Sequence, residues 1–388
     1  MKILLFFMVI FYNFAVENVI KYLFVMTDIN FKGYVDDAVE LLKALISTPS
    51  VSRDESRAAD VMQRYMTGWG LEPRRVNNNL IIEPERFDEN KPTLLLNAHI
   101  DTVKPAATWT RDPFTPTMEG DVLYGLGSND CGGGLVSLLQ VLRILRSGEA
   151  GEVPYNLVYM ASAEEEVSGE NGVRLALSSL PHIDVVLIGE PTGMQPAVAE
   201  KGLLVVDVIS HGKSGHAARN EGINAIYLML PDLQWIKDYK FQKVSDLLGP
   251  VKMTATVIHA GVQHNVIPDT CEVMVDIRFN ELYSNKEIFE IMQKNLKNEV
   301  RAHSFRLNSS RIDPSHPLVR NCVALGMTPY GSPTLSDQAL MPFESLKIGP
   351  GDSARSHTAD EFIKISEIED AIKKYIQIIT NVPERRKA

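Results

Sequence analysis

The sequence predicts an α/β protein with two parts. The larger part is a catalytic domain with a mixed, mostly parallel sheet flanked by helices, and a smaller α+β (ferredoxin-like) domain is inserted into it. Three observations predict this fold class. Short apolar runs alternate with segments of helical spacing in the first half of the chain. After about Lys201 the order becomes β-α-β-β-α-β, and from Pro317 helical patterns return.

The first half of the chain alternates helices and strands. Apolar residues at helical spacing, such as Leu135, Leu138 and Leu142, predict helices, and continuous apolar runs, such as Leu94 to Ala98, predict buried strands. Strands buried on both faces are typical of parallel sheets covered by helices. The predicted helices span 35–46, 57–69 and 134–145, and the predicted strands span 79–82, 94–98, 156–161 and 185–189.

The middle of the chain has a different pattern, with β-branched and alternating segments around two helices. Strands are predicted over 203–209, 253–259, 271–279 and near 304–307, and helices from Asn224 and over 286–300. A terminal helix is predicted over 366–379. We therefore expect 26–200 and 312–388 to form the catalytic domain, and 201–311 to form an inserted lid or dimerisation domain.

Composition narrows the class of protein. The chain has 388 residues, which is long for one compact unit, so two domains are expected. A net charge of −10 without a long basic run argues against nucleic-acid binding. The three cysteines, Cys131, Cys271 and Cys322, are far apart, which argues against a disulfide framework and favours a reducing, cytoplasmic compartment.

Residues 1–25 have a composition unlike the rest of the chain. Ile3 to Val16 is mostly apolar behind Lys2, like the apolar region of a signal peptide, but it is short for a membrane span. Three interpretations stay open: an upstream extension outside the functional domain, a signal for a secreted or periplasmic protein, and an anchor. We expect no membrane contact from the functional domain itself.

Acidic and imidazole side chains follow the predicted strands or lie in the adjoining loops. Because carboxyl ends of parallel strands meet at one edge of a sheet, such side chains can converge there. Oxygen and nitrogen ligands without thiolates suit zinc, cobalt or manganese, and clustered carboxylates need a compensating charge that a pair of divalent cations supplies. The candidates are His99, Asp101, Asp130, Glu164–Glu166, Glu190 and His357.

Asp101 has a more specific expected role. It follows His99 by two residues, so its carboxylate can accept the second ring N–H of the imidazole and fix the tautomer. Other interpretations must be weighed beside the metal site: a single histidine is often a hydrogen-bonded structural residue, and three consecutive glutamates often form a solvated turn. The glycines of Gly125-Leu126-Gly127 do not make a dinucleotide fingerprint, because the third glycine position holds Asp130.

Eight segments, in order, resemble the co-catalytic metallohydrolase family of acetylornithine deacetylase, succinyl-diaminopimelate desuccinylase, aminoacylase and glutamate carboxypeptidase. The resemblance covers roughly Val35 to Ile379. The chain departs from the family's usual residues at Glu164, at Cys131-Gly132 and in the short segment 217–222, which lacks the usual proline. A plain turn histidine therefore stays open as the alternative for His216. The eight segments are Asn97-Ala98-His99-Ile100-Asp101, Gly125-Leu126-Gly127-Ser128-Asn129-Asp130, Ala163-Glu164-Glu165-Glu166, Gly189-Glu190-Pro191-Thr192, Gly212-Lys213-Ser214-Gly215-His216-Ala217, Asn265-Val266-Ile267-Pro268, Asp276-Ile277-Arg278 and His357-Thr358-Ala359-Asp360-Glu361.

The resemblance implies two zinc ions, with cobalt as an alternative. Its implied ligands are His99, Asp130 and Glu190 for one ion, and Asp130, Glu166 and His357 for the other. Asp130 would bridge the two ions.

The same resemblance implies roles for residues that do not bind the ions. Glu165 would be the general base, and Asp101 would support the catalytic centre beside it. His216 would donate a hydrogen bond to the oxyanion that forms on a substrate bound in a partner subunit, which implies a homodimer. Asn265 and Arg278 would bind the substrate carboxylate.

The implied activity is metal-dependent removal of an N-acyl group from an amino acid. N-acetylornithine or N-succinylornithine, in arginine biosynthesis, is the first expectation, because the run Ile348-Gly349-Pro350-Gly351-Asp352 resembles that branch most. Succinyl-diaminopimelate desuccinylation, N-acetylcitrulline deacetylation and dipeptide cleavage are the alternatives within the family. An inactive relative that works as a binding protein is the alternative of another class.

Overall fold

The computed structural model describes residues 29–219 and 221–380, so the apolar segment 1–25 lies outside the described residues. Within the described ranges, none of the helices combines the length and the apolarity needed to cross a bilayer. The α-helices are α1 (Phe31–Ile46), α2 (Ser56–Gly68), α3 (Gly133–Ser147), α4 (Val173–Leu177), α5 (Ala225–Asp238), α6 (Asn285–Asn295), α7 (Pro317–Ala324) and α8 (Ile365–Thr380). The strands are β1 (Arg74–Val76), β2 (Asn79–Ile82), β3 (Thr93–His99), β4 (Thr117–Glu119), β5 (Val122–Tyr124), β6 (Asn156–Ser162), β7 (Val185–Ile188), β8 (Ala197–Glu200), β9 (Gly202–His211), β10 (Gly215–His216), β11 (Lys252–Ala260), β12 (Val266–Ile267), β13 (Thr270–Phe279), β14 (Glu299–Ala302), β15 (Ser310–Arg311), β16 (Tyr330–Ser332), β17 (Glu344–Lys347) and β18 (Phe362–Lys364).

The described residues divide into two compact units, and the first comprises 29–196, 315–328 and 347–380. Its strands lie in the order β1-β2-β6-β3-β7, with β3 parallel to both β6 and β7 and β2 antiparallel to β6. Helix α3 packs on β3 and β6, and α1 and α8 pack on α3. The predicted α/β class, with a mostly parallel sheet flanked by helices, is confirmed.

Close backbone packing at the start of α3 explains the glycine run that precedes it. A Cβ atom on Gly134 would lie 1.6 Å from the carbonyl oxygen of Gly189, and one on Gly132 would lie 2.3 Å from that of Gly127. Only glycine allows such an approach between backbones. The neighbouring loops around Gly127 and Gly189 therefore require these glycines.

The second unit comprises residues 197–314 and 329–346, of which 220 is not described. Its main sheet has the order β11-β13-β9-β14 and is antiparallel throughout. Along the chain the order is β9-α5-β11-β13-α6-β14, the predicted α+β arrangement. Alternate residues of β9 and β13 are buried together with residues of α5 and α6, so the core lies on one face of the sheet.

The structure corrects two element predictions near the end of this segment. The helix predicted over 286–300 stops where α6 ends, and the strand predicted near 304–307 lies earlier, as β14. The Asp232 carboxylate accepts the backbone N–H groups of Lys297 and Asn298, at 3.0 Å each. These N–H groups therefore do not donate to the carbonyl groups of α6, and the helix does not continue. The apolar spacing alone could not show this, because Asp232 is distant in sequence.

Candidate metal centre

His99 ends β3, a strand whose seven residues are all buried. Its ring Nε2 lies 3.2 Å from Asp130 Oδ1 and 3.6 Å from Glu190 Oε1. Burial alone would lower the pKa of His99, but Cys131, Asp101 and Asp130 around the ring raise this pKa well above its ordinary value. The imidazole therefore lies in strongly acidic surroundings and faces two carboxylates with the same nitrogen.

Asp101 holds the segment that carries the predicted base. Its Oδ1 accepts the backbone N–H of Glu165 at 3.0 Å. Its Oδ2 accepts the backbone N–H of Glu166 at 3.1 Å and the hydroxyl of Ser52 at 2.7 Å. Burial raises the pKa of Asp101, but the His99 imidazole and these donors outweigh burial, so the net shift is downward. Asp101 is therefore a charged acceptor for three donors.

The orientation of His99 differs in one respect from the sequence prediction. The nearest acceptor of its ring Nδ1 is the backbone carbonyl of Asp101, at 2.9 Å, and the Asp101 Oδ1 is farther, at 3.5 Å. The carboxylate is turned towards backbone donors instead. In the neutral ring, a hydrogen bond from Nδ1–H to either of these oxygens leaves the lone pair on Nε2. Nε2 is the nitrogen that faces Asp130 and Glu190.

The three consecutive glutamates do not form a solvated turn. Glu164 is 5% exposed and has left-handed backbone geometry with φ of 56°, and its N–H donates to Glu55 Oε1 at 3.3 Å. The side chain of Glu166 is 8% exposed. The carboxylates of Glu55 and Asp101 thus accept the N–H groups of all three glutamates, and this turn directs Glu165 and Glu166 to the centre.

Asp130 lies between two imidazoles. Its Oδ1 is 3.2 Å from His99 Nε2, and its Oδ2 is 3.7 Å from His357 Nε2. The same His357 nitrogen lies 2.9 Å from Glu166 Oε2, and Glu165 Oε2 lies 4.0 Å from His99 Nε2. The structure therefore brings the predicted metal ligands and the predicted base together. One Asp130 oxygen lies near His99 and the other near His357.

The donor set fits divalent cations. In the described part of the chain, two groups of three ligand atoms lie within 4.8 Å of one another, namely His99, Asp130, Glu166 and His99, Cys131, Glu190. Imidazole and carboxylate donors at such spacing suit zinc and related ions. Carboxylates also outnumber imidazoles here, so bound cations would offset an excess of negative charge.

Two residues at the centre were not predicted to take part. Cys131 lies with its Sγ 3.2 Å from the backbone nitrogen of His99, and burial raises the pKa of its thiol. Glu361 is buried, and burial raises its pKa to about 7 although the N–H groups of Asp130 and Gly127 lower it. Their positions in the sequence could have indicated both residues, because Cys131 directly follows Asp130 and Glu361 belongs to the segment that contains His357.

Metal binding is expected to displace a proton from His357. A hydrogen bond with Glu166 raises the pKa of His357 to about 9 against the opposing effect of burial, so the metal-free ring is protonated near neutral pH. Metal ligation requires the neutral ring. Calorimetric titration with Zn²⁺ in two buffers of different ionisation enthalpy should show about one proton fewer released by His357→Gln than by the parent protein. Equal proton counts would contradict this assignment.

The same pKa predicts how the stability of the metal-free protein depends on pH. The imidazole has an ordinary pKa of about 6.5 in the unfolded chain and about 9 in the fold. The stabilising contribution of protonated His357 is therefore complete below the unfolded pKa, and it is lost as the pH rises through the folded pKa.

The remaining predicted site residues lie in the second unit. His216 in β10 pairs with Val266, and the N–H of Ala217 donates to the carbonyl of Asn265 at 3.0 Å, so His216 and Asn265 are neighbours. Arg278 lies on β13, where its Nε and Nη2 each donate to the Asp276 carboxylate at 3.0 Å.

Relatives of known name and structure resemble this chain over most of its length. Acetylornithine deacetylase from Pectobacterium atrosepticum is 28% identical over 374 residues, which cover 88% of this chain and 96% of that protein. Acetylornithine deacetylase from Proteus mirabilis is 28% identical over 377 residues, with the same two shares. Among solved structures, a dinuclear metal-binding M20 peptidase from Bacillus subtilis has a TM-score of 0.70 at 15% identity and covers 90% of this chain and 98% of its own.

A metallo-carboxypeptidase of the M20 family from Sulfolobus solfataricus has a TM-score of 0.68 at 18% identity, covering 88% of this chain and 98% of its own. At these identities the solved structures support the fold. The model of peptidase family M20/M25/M40 matches residues 95–381, a range that contains every residue of the candidate centre named as a metal ligand. The chain therefore belongs to peptidase family M20/M25/M40 and is a metal-dependent hydrolase of amide bonds.

Proposed function

We propose that this hydrolase removes the N-acyl group of N-acetylornithine or N-succinylornithine, a step of arginine biosynthesis. The observation that carries the proposal is the match to acetylornithine deacetylases over nearly the whole of both chains. Succinyl-diaminopimelate desuccinylation, N-acetylcitrulline deacetylation and dipeptide cleavage remain the competing activities of the family. A binding protein without activity is disfavoured, because the chain retains the implied ligands and Glu165.

We propose that His99, Asp130 and Glu190 hold one zinc ion and that Asp130, Glu166 and His357 hold the other, with cobalt as a possible substitute. The two Asp130 oxygens, each directed to a different imidazole, support the bridging role. When bound, such ions lower the pKa of water and polarise a carbonyl oxygen.

The protein's own groups would then handle protons and charge. Glu165, held by the Asp101 carboxylate through its backbone N–H, takes the proton of the attacking water and passes it to the leaving amine. His216 accepts the N–H of Ala218 with its Nδ1 at 3.1 Å, so the neutral ring carries its proton on Nε2. In the proposed homodimer, that proton on the partner subunit's His216 is the donor that a developing oxyanion requires.

We propose that Asn265 and Arg278 bind the carboxylate of the substrate. Asp276 supports this role by holding the Arg278 guanidinium in one orientation. The guanidinium has five N–H donors in total, so it can bind a second carboxylate beside Asp276. We assign these residues, with His216, to the inserted lid domain, 201–311, and the metal ligands to the catalytic domain, 26–200 and 312–388.

A substrate panel tests the proposed function. The panel contains the N-acetyl and N-succinyl derivatives of ornithine, citrulline and diaminopimelate, together with dipeptides, and it is assayed before and after chelation and metal repletion. We expect the highest kcat/KM for an N-acylornithine and loss of hydrolysis after chelation. Equal rates over the whole panel would remove the biosynthetic assignment, and hydrolysis that resists complete metal removal would remove the mechanism.

We also propose a homodimer formed through the second unit. Strand β11 ends the strand order of its sheet, and eight of its nine residues are exposed. Helix α5 packs beside it and exposes Tyr227 and Leu230, at 70% and 53%, and Ile258 on the strand is 54% exposed. An exposed edge strand with adjacent apolar side chains is suited to pairing with a second copy.

Charged substitutions on this surface should give a monomer. We expect sedimentation velocity to show a dimer for the parent protein and a monomer for the double variant Leu230→Asp, Ile258→Lys, because both charges would be desolvated in the interface. Val323→Asp, a change at an exposed apolar residue of the first unit, is the matched control and should stay dimeric. A monomeric parent protein would refute the proposed dimer.

For localisation we propose the cytoplasm. The support is that all three cysteines are free, buried thiols, which is typical of proteins from reducing compartments.

A further inference from the structure

Glu361 is a buried carboxylate directed at the segment that carries Asp130. It is 2% exposed, and it lies four residues after His357 along the chain. Its Oε1 accepts the backbone N–H groups of Asn129 and Asp130, at 2.8 and 2.9 Å, and its Oε2 accepts that of Gly127 at 3.1 Å. All three donors belong to one short loop, and one of them is the amide of a proposed ligand.

These hydrogen bonds connect two loops that each supply a ligand. One loop, 127–130, carries Asp130, and the other, 351–361, carries His357. The loops are also joined by the Asn129 side chain, whose Oδ1 accepts the N–H of Asp352 at 3.0 Å and whose Nδ2 donates to its carbonyl at 3.1 Å. These contacts therefore join the two loops whose ligand atoms, Asp130 Oδ2 and His357 Nε2, lie 3.7 Å apart.

The chemistry of these contacts favours a carboxylate over any other side chain. Both Glu361 oxygens accept backbone N–H groups, an arrangement that suits a carboxylate because neither of its oxygens has to donate. A glutamine of the same shape would turn an NH₂ group towards at least one backbone N–H, so two donors would face each other. The loop carrying Asp130 would then have to move relative to His357.

We propose that Glu361 is a positioning residue that sets the spacing of Asp130 and His357, and through it the affinity of the ion position that these two ligands share. The inference rests on the proposed dinuclear centre. Partners behind the direct ligands of a metal commonly change its affinity by about 10- to 100-fold when they are replaced. A purely structural role would instead lower stability and leave the affinity of the folded protein unchanged.

The test compares Glu361→Gln with Asp360→Asn in the full chain. Asp360 is the matched control because it also accepts backbone N–H groups from a distant loop, those of Thr110 and Arg111, at 3.0 and 3.1 Å. Neither of these is a ligand. Affinities for Zn²⁺ and Co²⁺ are measured by competition with a chromophoric chelator, and folding of the metal-free protein is measured by thermal unfolding.

We expect Glu361→Gln to weaken one of the two ion-binding steps by about 10- to 100-fold and Asp360→Asn to change neither step by more than about twofold. Equal affinities in Glu361→Gln and the parent protein would overturn the proposal, whatever the change in thermal stability. Parent protein that binds zinc tightly but hydrolyses no N-acyl amino acid would refute the proposed function and leave this test intact. Parent protein that binds neither ion would overturn both.

A second measurement needs no variant and covers the case in which Glu361→Gln does not fold. Hydrogen exchange is followed at the amides of Gly127, Asn129 and Asp130 in the metal-free parent protein. If Glu361 holds this loop before an ion binds, these amides should exchange slowly, because exchange requires the loop to open. Exchange as fast as that of exposed loop amides would overturn the proposal.

Discussion

Replacing Glu165 by glutamine is expected to lower kcat by about 10²- to 10⁴-fold and to leave both ions bound, because general acid–base catalysis contributes an effect of this size. Glutamine keeps the shape of the side chain but cannot accept a proton. Glu165 also lies outside the proposed ligand set, with its Oε2 4.0 Å from His99 Nε2. Steady-state kinetics with N-acetylornithine and metal analysis of the same samples measure the two effects separately.

Glu170→Gln is the matched control for this prediction. It makes the same chemical change on an exposed residue five positions further along the same segment, and we expect it to retain the parent kcat. If Glu165→Gln hydrolysed its substrate at the parent rate, another group would have to be the base. If it lost both activity and metal, Glu165 would be a ligand instead.

Asp130→Asn is expected to weaken binding of both ions together by at least about 100-fold and to abolish detectable hydrolysis. Replacing a direct ligand should cost no less than the 10- to 100-fold seen for outer partners. The physical reason is the shared position of Asp130, since one of its oxygens lies near each imidazole. Asparagine removes the negative charge and one acceptor oxygen, so it cannot serve both sides.

His357→Gln provides the comparison for the bridging role. We expect this variant to lose only one ion, because His357 lies beside Glu166 and Asp130 on one side of the centre. Chelator competition followed by metal analysis counts the ions retained by each variant. Loss of a single ion from Asp130→Asn would contradict the bridging role and would favour two independent sites.

Local patterns predicted the elements that position the site. A continuous apolar run predicted β3, and residues 93–99 form that strand with His99 at its end. The leucine stripe predicted α3, and all of 133–142 in that helix is buried. These predictions were reliable because buried positions of a strand or helix are occupied by apolar side chains, so the pattern of apolar residues along the chain shows which positions are buried.

The same patterns failed where a distant side chain decided the outcome. Apolar spacing extended the helix of 286–300 beyond the end of α6, but Asp232 accepts the N–H groups that follow that end. Spacing also suggested that the Asp101 carboxylate faces the His99 ring. The backbone N–H groups of Glu165 and Glu166 are closer to that carboxylate than the ring is. Such competition between acceptors depends on three-dimensional distances.

The sequence by itself determined the α/β class, the strands that end at the site, and the kinds of side chain that can bind metal there. The tertiary structure alone decided which Asp130 oxygen faces which imidazole, and that Glu361 connects the loops of Asp130 and His357. The physical reason is that secondary structure and burial follow from neighbours along the chain. Contacts between residues more than 200 positions apart exist only once the fold has brought the loops together.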